Sequence, residues 1–502
     1  MRIKRYLGVL TAALWSVSLL AGTIRVRTQA DFDAMPERVR WELEAGEKRI
    51  EVRFEQGRYR FSEDHLRLEY PDAAGVSLVL DGGGAILTGA GEGTPSAGNF
   101  PPGLCQVVRK ARSFVEPAGQ GRWRIRMRGA DNVSDLNAAD CQGLYVIVTQ
   151  WYRSGCYPVR EIRGGSVYFD SEESLSELNL DFRYGRSFPK YMFVHDPVRK
   201  QAARFLTLWG GELGHLGIKN FQFIGNGGKD YLIQLFQTVV DSVEVTGCRF
   251  EALQDRALST HFIRNVSFHD NVIVNCYRLT LYVDMFSPGA RIFGNTFRNN
   301  GLAFEGQAVM ESLGEDMHVH DNVFEDFTYA GIITGIHFTN DNPVSTSGVI
   351  ERNEFYMTEA FRKEPSRTLM DCGAIYIGTM NKDLTVRNNY VHDFIGSKDY
   401  RGIFGDDGAS NVQVYGNLVL NVGAPYCIDF RRVEEVEKRP DSHARRVNVG
   451  NRIYGNTVDG PVRFERRGGD DGCYKGEDSL VQTEAQKRQA VQKWRRGLKS
   501  RE

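Results

Sequence analysis

From about residue 206 onward the chain repeats one short phrase, in which apolar and polar positions alternate and the alternation stops at an asparagine. It reads Val-Ser-Phe-His-Asp-Asn271-Val, Arg-Ile-Phe-Gly-Asn295-Thr-Phe, His-Val-His-Asp-Asn322-Val-Phe and Val-Ile-Glu-Arg-Asn353-Glu-Phe. It continues as Thr-Val-Arg-Asn-Asn389-Tyr-Val, Val-Gln-Val-Tyr-Gly-Asn417-Leu-Val and Arg-Ile-Tyr-Gly-Asn456-Thr-Val. Upstream, Gln-Phe-Ile-Gly-Asn226 and Glu-Val-Thr-Gly-Cys248-Arg-Phe fit the same frame, with Cys248 in the asparagine slot. From Asn226 the spacings are 22, 23, 24, 27, 31, 36, 28 and 39 residues. Period-two alternation predicts strands. Asparagine tolerates the left-handed backbone that a tight bend needs, so each phrase is strand, bend, strand. A shortest period of 22 residues, with no helical pattern, predicts an all-β fold: a right-handed parallel β-helix. In successive coils the asparagine amides would stack and hydrogen-bond along the axis. The leucine lattice of a leucine-rich repeat and the longer blades of a propeller are both missing.

The remainder of the chain is patterned differently. Residues 23–84 read as an N-terminal cap and first coils. Within them, Ala30 to Gly46 has helical spacing, with Phe32, Met35, Val39 and Trp41 to Leu43 as its apolar positions. Ile50 to Phe54, Gly57 to Phe61 and Val76 to Leu80 alternate as strands. Residues 85–205 break the repeat; Trp123 to Met127, Leu144 to Val148 and Ser166 to Phe169 are strand-like, which predicts an inserted β-rich subdomain. Residues 206–477 are the repeating coils. Residues 478–502 form a polar tail, weakly helical from Gln482 to Trp494, expected to be solvated or to close the end of the molecule.

Composition narrows the class. Lys+Arg number 63 against Asp+Glu 64, a net charge of −1, which provides no field for a polyanion and argues against nucleic-acid binding. Glycine is raised, 53 of 502 residues, and proline is low at 15, as expected for many short, tightly connected strands. Residues 1–22 read as a secretory signal: basic Met1-Arg2-Ile3-Lys4-Arg5, then an apolar run from Tyr6 to Ala21. The expected destination is periplasmic or extracellular, without stable membrane insertion. The eight cysteines (105, 141, 156, 248, 276, 372, 427 and 473) form no Cys-x-x-Cys or Cys/His cluster, so no metal site is expected.

With asparagine as register, the strand after each bend aligns across coils, and its last position collects ionisable residues. His261, Asp284, Glu305, Gly335, Gly378, Asp406, Arg431 and Glu465 fall in this slot. Neighbouring coils are one strand spacing apart, about 4.8 Å, so these residues should line one edge of one sheet. Strand ends are often charged simply because they meet water, but an entire column of acids, a histidine and arginines suits a chain of sugars. Tyr282, Phe286, Phe304, Tyr376 and Phe404, nearby in sequence, either stack on sugar faces or belong to the core. The two widest spacings bring in Tyr356 to Leu369 and Val433 to Arg446, long insertions of the kind that carry function.

The segment Asp371-Cys-Gly-Ala-Ile-Tyr-Ile-Gly, Val-Arg-Asn-Asn-Tyr-Val-His-Asp393, Gly402-Ile-Phe-Gly-Asp-Asp407-Gly-Ala-Ser resembles secreted β-helix carbohydrate enzymes of the pectin-lyase-like superfamily. It is most similar to glycoside hydrolase family 141 and its relatives. The close likeness covers about fifty residues, and general β-helix similarity extends over Leu206 to Phe464. The resemblance implies hydrolysis of a plant or host glycan, with Asp371 and Asp407 as the catalytic pair and Asp406 as the close alternative. Here Gly405 replaces the apolar residue usual before Asp-Asp. Asp371 precedes its strand while Asp407 follows the next one, which on straight strands separates them by more than about 10 Å. Glycosidase carboxyls stand about 5–5.5 Å apart for retention or about 6.5–9.5 Å for inversion, so Glu305 and Asp284 are reserves. His261, Asp284, Glu305, Tyr376, Arg401 and Arg431 are the candidate substrate contacts, Arg401 and Arg431 having ion pairs with nearby acids as the alternative.

Two other classes compete. A polysaccharide lyase acting on a uronate would use His261 beside Asp284 as base, with Ca²⁺ held by acids. A non-catalytic glycan-binding protein would use the same groove without chemistry. The hydrolase itself requires no cofactor, and a poly- or oligosaccharide is the partner expected in every case.

Overall fold

A computed structural model describes residues 22–61, 64–89, 105–110, 115–119, 121–126, 144–150, 153–171, 190–195, 204–225, 231–253, 256–276, 279–284, 286–301, 308–335, 346–362, 372–378, 381–395, 400–406, 409–423, 425–431, 449–465 and 472–499. Three long parallel sheets of thirteen, twelve and eleven strands wrap one core, and the fold is a right-handed parallel β-helix. Each coil contributes one short strand to each sheet. The eleven-strand sheet is the one that carries the slot column, and its strands are numbered here: β1 (Leu66–Glu69), β2 (Leu206–Trp209), β3 (Tyr231–Phe236), β4 (Arg256–His261), β5 (Leu281–Val283), β6 (Met310–Ser312), β7 (Ile332–Thr334), β8 (Cys372–Ile377), β9 (Tyr400–Gly405), β10 (Ile428–Phe430) and β11 (Val462–Phe464).

The asparagines stack as expected, but not for the backbone reason. The residue in left-handed conformation is the one before each asparagine: Asp270, Gly294, Asp321, Arg352, Asn388, Gly416 and Gly455, with φ between 54° and 66°. The asparagines themselves are buried and use their side chains. Asn295 donates from its backbone N–H (3.0 Å) and its Nδ2 (2.9 Å) to Oδ1 of Asn322, and its Nδ2 also reaches the Phe268 carbonyl. The same pattern runs from Asn271 to Asn456. At one end the Cys248 N–H donates to Asn271; at the other, Asp478 accepts from Asn456. One register assignment shifts. Gln222–Ile224 is the strand after the bend, not before it, and pairs with Arg249–Glu251. The slot above Cys248 therefore holds buried Phe221, which follows left-handed Asn220. Asn226 lies outside the described residues.

Inside, aliphatic and aromatic side chains repeat coil by coil, as in the stacked rings of Phe297, Phe324 and Phe355 at 4.7 and 4.6 Å. A helix, Gln29–Glu44, covers the N-terminal end. A capping box between Thr28 and Asp31 starts it, and Phe32, Met35 and Val39 are its buried face, while Trp41 is exposed. Ile86–Thr88 still belongs to the twelve-strand sheet. The separate seven-stranded sheet, all of whose pairings are antiparallel, runs from Cys105 to His195. Its chain leaves after one strand of the solenoid and rejoins before β2. The tail is not loose: Ser479–Leu480 pairs with Thr457–Val458, and the helix Glu484–Lys499 lies against the side of the solenoid. There Trp494 donates to the Asn388 carbonyl at 2.7 Å and packs on Tyr390.

Candidate functional site

The pairing of the eleven-strand sheet fixes the slot column directly. Phe236 pairs with His261, and one step beyond the ends of β5 to β11 come Asp284, Leu313, Gly335, Gly378, Asp406, Arg431 and Glu465. One predicted member changes. In the fourth coil of the alignment the strand is β6, so the slot holds Leu313, whose N–H donates to the Val283 carbonyl. Glu305 is not in that slot and lies outside the described residues, as do Asp371, Asp407 and Phe304. Met310-Glu311-Ser312 is too short to show alternation in the sequence, so the segment before β6 reads as the strand instead.

Two residues back from the column, side chains of the same sheet point outward in a second row: Ser259, Tyr282, Glu311, Ile333, Tyr376, Phe404, Asp429 and Arg463. Column and row meet in one cluster around Asp406. The Tyr376 hydroxyl donates to Asp406 Oδ2 at 2.6 Å and Arg431 Nη2 donates to Oδ1 at 3.2 Å, so both carboxylate oxygens are held in a fixed direction. The guanidinium groups of Arg401 and Arg431 lie 4.3 and 4.6 Å from the ring centre of buried Phe404. Arg401 is itself buried and bonds Asp429 through Nε at 2.5 Å, while Arg463 grips the same carboxylate with two bonds of 2.6 and 2.8 Å. Of the two arginines singled out by sequence, Arg401 is thus an internal brace and Arg431 is the one that reaches the column. Asp429 and Arg463 were missed, although outward alternation with Tyr376 and Phe404 was the signal that places them.

On the N-terminal side of Asp406 the column runs through Gly378 and Gly335, the latter at φ 80°. Two successive coils thus present no side chain at the sheet edge.

Further along stand His261 and Asp284. Asp284 is fully buried, and its Oδ1 accepts from the Ser287 hydroxyl (2.7 Å) and the Phe286 N–H (3.1 Å). Its Oδ2 lies in close contact with Nδ1 of His261. Burial raises the Asp284 pKa, against the opposing pull of Ser287 and His261. With Nδ1 committed, Nε2 is the histidine atom left to act on a ligand. Phe236 stacks on the imidazole at 4.7 Å, and Phe262 meets it edge-on at 4.5 Å. Nearby, the Tyr282 phenol is pushed up to about 12 by burial and by Glu311 and Asp284, and Arg256 lies over its ring.

Of the pair implied by resemblance, only the flanking residues are described. Cys372, next to Asp371, pairs with Tyr400 at the start of β9, whereas Asp406, next to Asp407, follows its end. The five steps from Cys372 to Ile377 span about 16 Å. Among the described residues no group of three or more His, Cys, Asp and Glu is arranged to hold a metal ion. Cys248, Cys276 and Cys427 are buried free thiols, each pushed up to about 12 by burial and hence unreactive.

No protein-family profile matches the chain, and no curated protein does. Among solved structures it is similar to a protein described as a glycoside hydrolase, at 10% identity and TM-score 0.46, covering 94% of this chain and 98% of that one. It is also similar to the A-module of the mannuronan C-5 epimerase AlgE4 of Azotobacter vinelandii, at 13% identity and TM-score 0.45, covering 92% and 94%. A third is XylC in complex with xylose, at 10% identity and TM-score 0.41, covering 81% and 70%. At these scores the likeness is one of outline, and the chemistry rests on the residues above.

Proposed function

We propose that the protein is an exported glycoside hydrolase acting on a polysaccharide in the groove over the eleven-strand sheet. The observation that carries this is Asp406: a carboxylate with both oxygens oriented, beside two coils whose column position is glycine. In this reading Asp406 is the acceptor, taking a proton from water as its oxygen attacks the anomeric carbon, or attacking that carbon itself. A second acid protonates the departing glycosidic oxygen as the C–O bond breaks. Asp407 and Asp371, both outside the described residues, are the candidates for that role. Tyr376 and Arg431 hold Asp406 in line. Export follows from the signal-like residues 1–22; no described helix is long and apolar enough to cross a membrane.

The His261–Asp284 pair supports a second reading, β-elimination on a uronate with His261 as base. One experiment separates the two. On a panel of neutral and uronate-containing polysaccharides, hydrolysis yields new reducing ends without ultraviolet-absorbing unsaturated products. Asp406→Asn should then lower turnover by about a hundredfold or more and His261→Ala should act on KM. Unsaturated products that vanish in His261→Ala and persist in Asp406→Asn would overturn the hydrolase.

A further inference from the structure

Seven large hydrophobic residues are exposed among those described, and four of them lie at one corner of the solenoid: Tyr70 (71%), Trp209 (37%), Val239 (62%) and Phe262 (44%). This is the corner where strands β1 to β4 end and the chain turns toward the thirteen-strand sheet. The backbone N–H of Tyr70 donates to the Trp209 carbonyl, that of Gly210 to Phe236 and that of Gln237 to His261, so the four turns are stacked directly on one another. Between them stand Phe236, 4.8 Å from the Trp209 ring and 4.7 Å from the imidazole of His261, and Phe286, stacked on Phe262 at 4.4 Å. An aromatic strip therefore follows the axis, one ring or ring pair per coil.

The strip is built against the preference of its own backbone. The four stacked turn positions, Tyr70, Gly210, Gln237 and Phe262, all have left-handed φ, 47°, 62°, 51° and 60°. Glycine takes that conformation freely, as at Gly210, whereas a bulky aromatic there is strained. Tyr70 and Phe262 accept the strain and still leave much of their rings open to solvent, Phe262 covering the rest against Phe286 and His261. Aromatic residues kept in costly conformations with their rings still open to solvent point to a ligand.

We infer that this corner is a glycan-binding rail, feeding a long polysaccharide chain toward Asp406. Sugar rings have an apolar C–H face and polar rims. The strip offers both halves: aromatic rings, and between them the Nε2 of His261, fixed by a buried carboxylate. A protein partner would call for a broader patch, about 800 Å² on each side, than a strip one ring wide. The strip also joins the column, which leads from His261 and Asp284 past Leu313 and the two glycines to Asp406. From β2 to β9 there are seven strand spacings, about 34 Å, so only a polymer touches both ends. The Asp406 end of this inference rests on the hydrolase reading; the rail itself does not.

The test uses the full exported chain and Phe262→Gly, Tyr70→Gly, Trp209→Ala and Asp406→Asn variants. Retardation in gels containing soluble xylan, galactomannan, carboxymethyl cellulose or polygalacturonate reads binding, and thermal unfolding reads stability. At least one polymer should retard the chain. Phe262→Gly and Tyr70→Gly should weaken that binding about tenfold while leaving the unfolding temperature unchanged or higher, a pairing that a structural role would reverse. Asp406→Asn should bind normally. On a cleaved polymer, Trp209→Ala should raise KM about tenfold with kcat unchanged, and leave di- to tetrasaccharides unaffected. Rail-dependent binding without turnover on any polymer would remove the hydrolase reading and keep the rail. Binding that is absent, or unchanged in the variants, would overturn the rail. So would a dimer of the full chain that Phe262→Gly dissociates.

Discussion

At the scale of single residues, the clearest energetic statement is His65. Its ring stacks on Phe32 at 3.7 Å, and burial lowers its pKa to about 4 from 6.5. Below pH 6.5 the unfolded chain binds a proton that the folded chain refuses until about pH 4, so stability is full above the unfolded value and falls as pH drops through this window. The loss reaches up to about 3 kcal/mol. Denaturant unfolding at pH 7 and pH 4.5 should show a steeper drop for the wild type than for His65→Phe, which keeps the stack but carries no proton. Equal drops would mean that His65 titrates normally. Asp284 shows the same physics in a carboxyl: burial raises its pKa, and the nearby imidazole and hydroxyl keep it useful.

At the scale of elements, short strands were readable wherever alternation ran into asparagine, because period two and a bend residue coincide there. They were not readable where another side chain fills the same slot. Phe221 takes the position of an asparagine and displaced the frame to Asn226; Leu313 takes the position assigned to Glu305, because β6 has only three residues. The Asp406 column was visible because each member ends its own strand. The Arg401–Asp429–Arg463 brace was not, since its members are 28 and 34 residues apart in the chain and meet only once coils stack. The C-terminal helix was underread for a related reason. It is polar over most of its length, and the apolar patch it covers, Tyr390, Leu418, Leu420 and Val481, belongs to other coils. Trp494→Ala should therefore cost about 2 kcal/mol, less than a fully buried tryptophan, as read from denaturant midpoints. A change below about 0.5 kcal/mol would mean that the helix is only resting on the solenoid.

At the scale of the whole molecule, the solenoid is stable only as a sum of neighbour contacts, since each coil touches just the next. A defect in mid-stack should then cost more than one at the end. Asn322→Ala strips partners from the Asn295 N–H and Nδ2 and from the Ile292 carbonyl. It should destabilise by roughly 3 kcal/mol, because buried polar groups left unpaired cost more than the bond itself. Asp478→Asn, at the final rung, keeps an acceptor oxygen and should cost about 1 kcal/mol. Equal effects in equilibrium unfolding would mean that the rungs are not coupled to one another.

The stacked amides have one more property. In every rung the N–H points toward the C-terminal end and the oxygen toward the N-terminal end, from Asn271 through to Asn456. Seven aligned amide groups add into a dipole along the axis, as peptide groups do in an α-helix, with its positive pole where the last N–H emerges. The Asp478 side chain, paired with Lys475, sits at that pole. The column is thus an electrically polarised wire, sealed by an anion at one end and by a backbone N–H from Cys248 at the other.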